Sequence, residues 1–330
     1  MLQITFFLLS RSSVQTDRSL QIAEASQQNE MPAELLVQRT EQYSSPQKLG
    51  RGMITVPELA AEALGSILTE QLSSHWGSSC SDLIQLISSV ARLSLECIGN
   101  SDALYHNVEH TMLVTLVGYE IMRGRMMLEP SSPEDEAHVL IACLLHDIGY
   151  VPGILSDDDE NGYVIDAKGN KAKLPRGSSD AALAPYHVDR SKLFAQHRLV
   201  KVTSIDAHRI AAAIECTRFP QLAVTPSNGD TDEGSLVRAA DLIGQLGDPH
   251  YLRKANALFC EFQEVGIHRQ LGCESPADLV EVYPRFYYDS LAKHLERAIR
   301  YLNVTSMGRR WIAGLYSNVF RAEAAVCCDS

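Results

Sequence analysis

Apolar residues recur at three- and four-residue spacing along most of the chain beyond residue 52 and seldom alternate, so the pattern predicts helices nearly throughout. Pro57 and Glu58 open the first of them, with proline and an acid where a first helical turn favours both. Ser81-Asp82 then caps a run in which Leu83, Ile87, Val90 and Leu95 fall at helical spacing. Further helices are expected over 107–123, from 131–136 up to His146-Asp147, and over 205–216, 235–246, 251–265, 284–302 and 308–321. Strand signals are few. The fold class expected is all-α, a multi-helix bundle carrying a long loop or small hairpin insertion. Residues 1–52, rich in Gln and Ser without a sustained apolar period, read as a poorly ordered N-terminal extension, with Met31 or Met53 as other possible starts. Residues 53–325 form one domain, and 326–330 a frayed tail.

The stretch 151–186 breaks the helical pattern with acids, glycines and prolines. Asp157, Asp159, Asn161 and Gly162 occupy the first positions of a calcium-loop pattern. The twelfth position holds Lys168, where a bidentate Glu belongs, so a small hairpin is expected instead. Its arms are Tyr163–Ile165 and Lys171–Lys173, and its turn lies at Gly169-Asn170.

Two short segments carry the chemistry. Tyr105-His106-Asn107-Val108-Glu109-His110 sets two histidines four apart, on one side of a helix or its entry turn. His146-Asp147 closes the apolar run Val139–Leu145, where a charged pair is costly unless something compensates it, and a divalent metal would do so. Asp241 stands in a mostly apolar helix, Leu236–Gln245, where a lone carboxylate needs a reason. His110, His146, Asp147 and Asp241 together make an imidazole and carboxylate set suited to Mn, Mg, Fe, Zn, Co or Ni, as one ion or two.

The order of these residues resembles the HD-domain superfamily of metal-dependent phosphohydrolases, over about residues 80–260. The Tyr105-His106-Asn107-x-x-His110 element resembles cyclic nucleotide phosphodiesterases within it. That resemblance implies an all-α hydrolase of phosphate esters in which His110, His146, Asp147 and Asp241 hold the metal. It also implies that Asp147 can bridge two ions and that His106 protonates the departing oxygen. Tyr150 and Val151 follow Gly149, where the phosphodiesterase pattern continues with another His. A nucleotidase or alarmone hydrolase of the same superfamily is the alternative. A di-iron HD-type oxygenase would need extra ligands, with His187, His197 and His208 the nearest, and a non-catalytic nucleotide-binding regulator stands as a further reading.

Around these residues, Tyr105, Asn107, His187, Arg190, Lys192, Arg218 and Gln245 are candidates for substrate contact. Arg218 can fork to a phosphate or pair with Glu215, and the second reading is preferred. The aromatic residues of the C-terminal third read as core before a stacking platform. A formal charge of −12 argues against a nucleic-acid partner but not against a small phosphorylated one, because a bound dication reverses the local field. The eight cysteines show no C-x-x-C spacing, and Cys143 and Cys216 read as buried free thiols of a reducing compartment. No apolar run approaches the roughly 18 residues that cross a bilayer. The apolar start Met1–Leu9 lacks a preceding basic residue, so a cytoplasmic location is expected.

Overall fold

A computed structural model describes residues 54–218 and 232–328, the last four by backbone alone. The expected extension lies outside the described residues. The chain is an all-α bundle, and most of its local signals fall where the sequence places them. The cap expected at Ser81-Asp82 does not form, since the helix Ser81–Ile98 begins without a side-chain cap hydrogen bond. Helix α1 (Val56–Trp76) starts at a capping box between Thr55 and Glu58, with Pro57 in its first turn. It pairs along α2 (Ser81–Ile98). Asn107 caps α3 (Val108–Leu128), and a second capping box between Ser132 and Asp135 starts α4 (Pro133–Leu145). Every residue of α4 from Glu136 to Leu145 is buried. This is what an apolar run does when helices surround it, and α2, α3, α6 and α7 pack on α4.

Between α4 and α5 the expected hairpin forms, with β1 (Tyr163–Val164) antiparallel to β2 (Lys171–Ala172). Helix α5 (His187–Leu199) follows; the sequence signals only its start, because polar and basic residues dilute its apolar period. Then come α6 (Ala207–Glu215), α7 (Asp232–Leu246) and α8 (Tyr251–Val265). Three short helices succeed them: α9 (Ile267–Gln270), α10 (Pro276–Glu281) and α11 (Tyr283–Phe286). The helix expected over 284–302 is split, since a π-helical segment, Tyr287–Leu291, separates α11 from α12 (Ala292–Leu302). Helix α13 (Ser306–Cys328) runs past residue 326, so the frayed tail expected from there is helical to Cys328.

Two close approaches set the site. A Cβ on Gly244 would lie 3.0 Å from the backbone of Val114, so only glycine lets α7 sit this near α3. His110 and Asp241 lie one turn before these two residues. A Cβ on Gly149 would lie 2.0 Å from the His187 carbonyl oxygen, which brings α5 against the turn after His146-Asp147. No helix among the described residues is long and apolar enough to cross a membrane. The six cysteines from Cys80 to Cys273 are free thiols, with Cys143 and Cys216 buried as expected.

Candidate metal centre and acid site

The side-chain oxygen of Asn107 accepts from the backbone N–H groups of Glu109 and His110, and so fixes the first turn of α3. That turn aims His110 inward. At the end of α4, His146 Nδ1 lies 2.8 Å from the Cys143 carbonyl oxygen. A carbonyl only accepts, so Nδ1 carries the proton and Nε2 is left to face the site. Ser191 of α5 braces the turn, donating to the His146 carbonyl at 2.7 Å and accepting from the Gly149 N–H at 2.9 Å.

Four atoms converge here. His110 Nε2 is 3.3 Å from both Asp147 Oδ2 and Asp241 Oδ1. His146 Nε2 is 3.0 Å from Asp147 Oδ2 and 3.7 Å from Asp241 Oδ1. His110, His146 and Asp147 are at most 3% exposed. Despite this proximity, His110 Nε2, His146 Nε2 and Asp147 Oδ2 have no hydrogen-bond partner. Burying such atoms unpaired is costly, and a shared cation removes the cost. Burial works against charge on Asp147 and Asp241, but the imidazoles beside them outweigh it and hold both carboxyls well below their ordinary range. Burial likewise disfavours charge on His146, and the two aspartates overcome it to raise the imidazole well above its usual value. The cluster therefore draws in positive charge, and its donor set fits a divalent metal.

His106 stands beside it under different control. Its Nδ1 is 2.5 Å from Glu261 Oε2, and Glu261 Oε1 accepts from the backbone N–H groups of Tyr105 (2.6 Å) and His106 (3.3 Å). Burial lowers the pKa of His106, yet Glu261 and then Asp147 raise it to about 9. Glu261 is held below its usual value despite burial, chiefly by His106. His106 can reach the ion cluster, its ligand atom lying within 4.8 Å of those of His110 and Asp147. As an imidazolium clamped by a carboxylate, it is better suited to donating a proton from Nε2 than to ligating. The ring of Tyr150 stacks between His106 (4.7 Å between centroids) and His187 (4.5 Å), fixing both imidazole planes.

Of the substrate candidates, His187, Arg218 and Gln245 line the cavity of about 650 Å³ that opens on His106, Asp147 and Asp241. His187 Nδ1 lies 2.6 Å from the Ala184 carbonyl, so its Nε2 lone pair faces Asp147 Oδ1 at 3.7 Å. Two acceptors so placed suit a second cation. Arg218 does pair with Glu215, at 2.5 and 2.8 Å, and with Asp189 at 3.0 Å.

Four candidates do not reach the cavity. Arg190 is wholly buried, and its five N–H donors go to the carbonyls of Gly149, Val151 and Val164 and to both oxygens of Asp158. It ties down the loop after the His-Asp turn and has no donor left for a phosphate. Lys192 is spent on Asp189 and Glu215. Asn107 is the cap of α3, and Tyr105 packs in a small apolar cluster with Leu258, Phe259 and Leu279. His197 and His208, the extra ligands of a di-iron reading, are exposed and away from the cluster. Tyr283 is core as expected, Phe262 and Phe286 pack against core clusters, and all three also line the cavity. Glu261 had no signal in the sequence beyond an acid on an amphipathic helix.

Replacing Asn107 with alanine is expected to cost about 1 kcal/mol in a urea melt and to weaken metal binding, with serine restoring most of both. Loss of stability without loss of metal affinity would mean that the cap does not aim His110.

No curated protein and no solved structure matches the chain. A family profile described as Npun_R2479-like matches residues 54–325, a span that holds the ion cluster, the His106–Glu261 pair and the cavity. The chain belongs to the Npun_R2479-like family.

Proposed function

We propose that the protein is a metal-dependent phosphohydrolase of phosphodiesterase type, acting on a small phosphorylated substrate of nucleotide size. The observation that carries this reading is the convergence of His110, His146, Asp147 and Asp241 with four of their buried polar atoms unpaired. When bound, a divalent metal there would polarise the phosphoryl group and activate water. The chain's own residues supply the rest. His106 gives its Nε2 proton to the departing alcohol oxygen as the P–O bond breaks, and Glu261 keeps that ring protonated and oriented. Over the cycle, the proton released by the attacking water restores His106. Tyr150 holds the ring plane. A cavity of about 650 Å³ is in the range of small-molecule sites and exceeds what a bare phosphate needs.

The test is a chromatographic product assay on the full chain with Mn²⁺, Mg²⁺ or Ni²⁺, and Asp147→Ala as the blank. 3′,5′-Cyclic nucleotides, nucleoside monophosphates and guanosine tetraphosphate are offered side by side. Ring opening that the blank lacks is the expected result. Release of phosphate or pyrophosphate instead would move the protein to the nucleotidase or alarmone-hydrolase class, and no turnover of any ester would overturn the reading.

A further inference from the structure

The cavity is larger than the ion cluster and a phosphoryl group require, and its walls change character. Beside His106, Asp147 and Asp241, it is lined by polar residues, among them Arg218, Gln245, Arg285 and Asp289, and by the apolar set Leu258, Phe262, Leu271, Leu279, Val282 and Phe286. Four of the apolar set, Leu258, Phe262, Leu271 and Leu279, belong to one apolar cluster that also packs on Tyr105, the neighbour of His106. Tyr283 adds its ring, because its hydroxyl is turned to the carbonyls of Leu246 and Leu315, 3.4 Å from each. The placement on α8 matters most. Leu258 and Phe262 stand three before and one after Glu261, so all three share a helix face. Leu258 stands at the centre of that face, with the carboxylate that grips His106 at one edge and Phe262 at the other. The apolar wall therefore begins at the proton donor. A polar group seated against it would lose its hydration without gaining partners, whereas an apolar one gains by leaving water.

We propose that this wall receives the leaving alcohol of the ester, and that this alcohol carries a bulky ring or branched group that turns an aromatic or hydrocarbon face to it. The proposal rests on the phosphohydrolase reading. Water oxygen bonds to phosphorus, the bond from phosphorus to the alcohol oxygen breaks, and His106 donates its proton to that oxygen. The apolar part of the alcohol lies along Leu258 and Phe262 while this happens.

Dimethyl phosphate and cyclohexylmethyl methyl phosphate separate the effects, since methanol and cyclohexylmethanol are closely matched in acidity. With the full chain and Mn²⁺, kcat/KM for the second ester is expected to be about tenfold higher or more, with cyclohexylmethanol released rather than methanol. Phe262→Ser should bring the two esters within about threefold, mainly through KM, and Phe262→Leu should keep most of the preference. Phe286→Ser serves if Phe262→Ser does not fold. Calorimetry with the matching methylphosphonate monoesters reads the same preference without turnover. Hydrolysis of both esters at equal kcat/KM, or equal affinity for both phosphonates, would overturn this proposal alone. A binding preference with no hydrolysis of any ester would overturn the phosphohydrolase reading, and the leaving-group assignment with it.

Discussion

In His106→Ala, kcat on an unactivated alkyl ester is expected to fall by about 10²–10⁴-fold while bound metal is retained. On a 4-nitrophenyl ester, whose leaving group needs no proton, the same substitution should cost little. This contrast follows from geometry. Glu261 grips Nδ1 and leaves the other ring nitrogen as the donor, and Glu261→Gln should share the leaving-group dependence at smaller size. A pH profile adds an independent reading. The donor is active when protonated, so activity is present below its pKa and falls about tenfold per pH unit above it. Asp147 and Asp241 help raise that pKa to about 9 without a metal. A dication would neutralise them and pull the alkaline limb below that value. Equal losses on both esters, with no shift of the alkaline limb, would mean that His106 orients or ligates rather than donates.

Arg190→Leu should destabilise the fold by about 3–5 kcal/mol in a urea melt, because it leaves Asp158 as an uncompensated buried charge. The pair is 0% and 1% exposed by side chain, so solvent cannot screen the loss. Three backbone carbonyls, of Gly149, Val151 and Val164, lose their donor in the same step. The effect should reach the site, since Gly149 follows the His-Asp turn directly and metal affinity should fall with stability. Arg190→Leu combined with Asp158→Leu should recover part of the stability, as replacing a buried ion pair with apolar groups often does. A single variant within about 1 kcal/mol of the wild type would show that water reaches Asp158.

The parts of the site legible in the sequence are those whose cost is local. A His-Asp pair at the end of an apolar run, and an acid inside one, announce themselves because burial without a partner is expensive wherever the chain goes. The helical bundle was legible for a related reason: capping boxes at Thr55 and Ser132, and the apolar periods behind them, act over a few residues. Glu261 was hidden because its partner, His106, lies on another helix and no local rule joins them. Arg190 was misread for the opposite reason. An arginine near a His-Asp motif suggests an anion, but this one meets five acceptors that only the folded loop assembles. Asn107 could have been read correctly, since asparagine immediately before a helix is first of all a cap. Helix α5 was incompletely signalled because its contacts with α6 and the His-Asp turn, rather than a strong apolar stripe, hold it in place.

The ion cluster draws on α3, the end of α4 and α7, three segments that only the folded chain brings together. A cation held there is therefore also a ligand for folding. At a free concentration a hundredfold above its dissociation constant it adds about 2.7 kcal/mol to the native state. Against the roughly 5–15 kcal/mol by which ordinary domains are stable, that is a large share. Metal scarcity would then thin the population of intact molecules through proteolysis as well as idle their chemistry. Cellular abundance of the protein would follow the supply of a single ion.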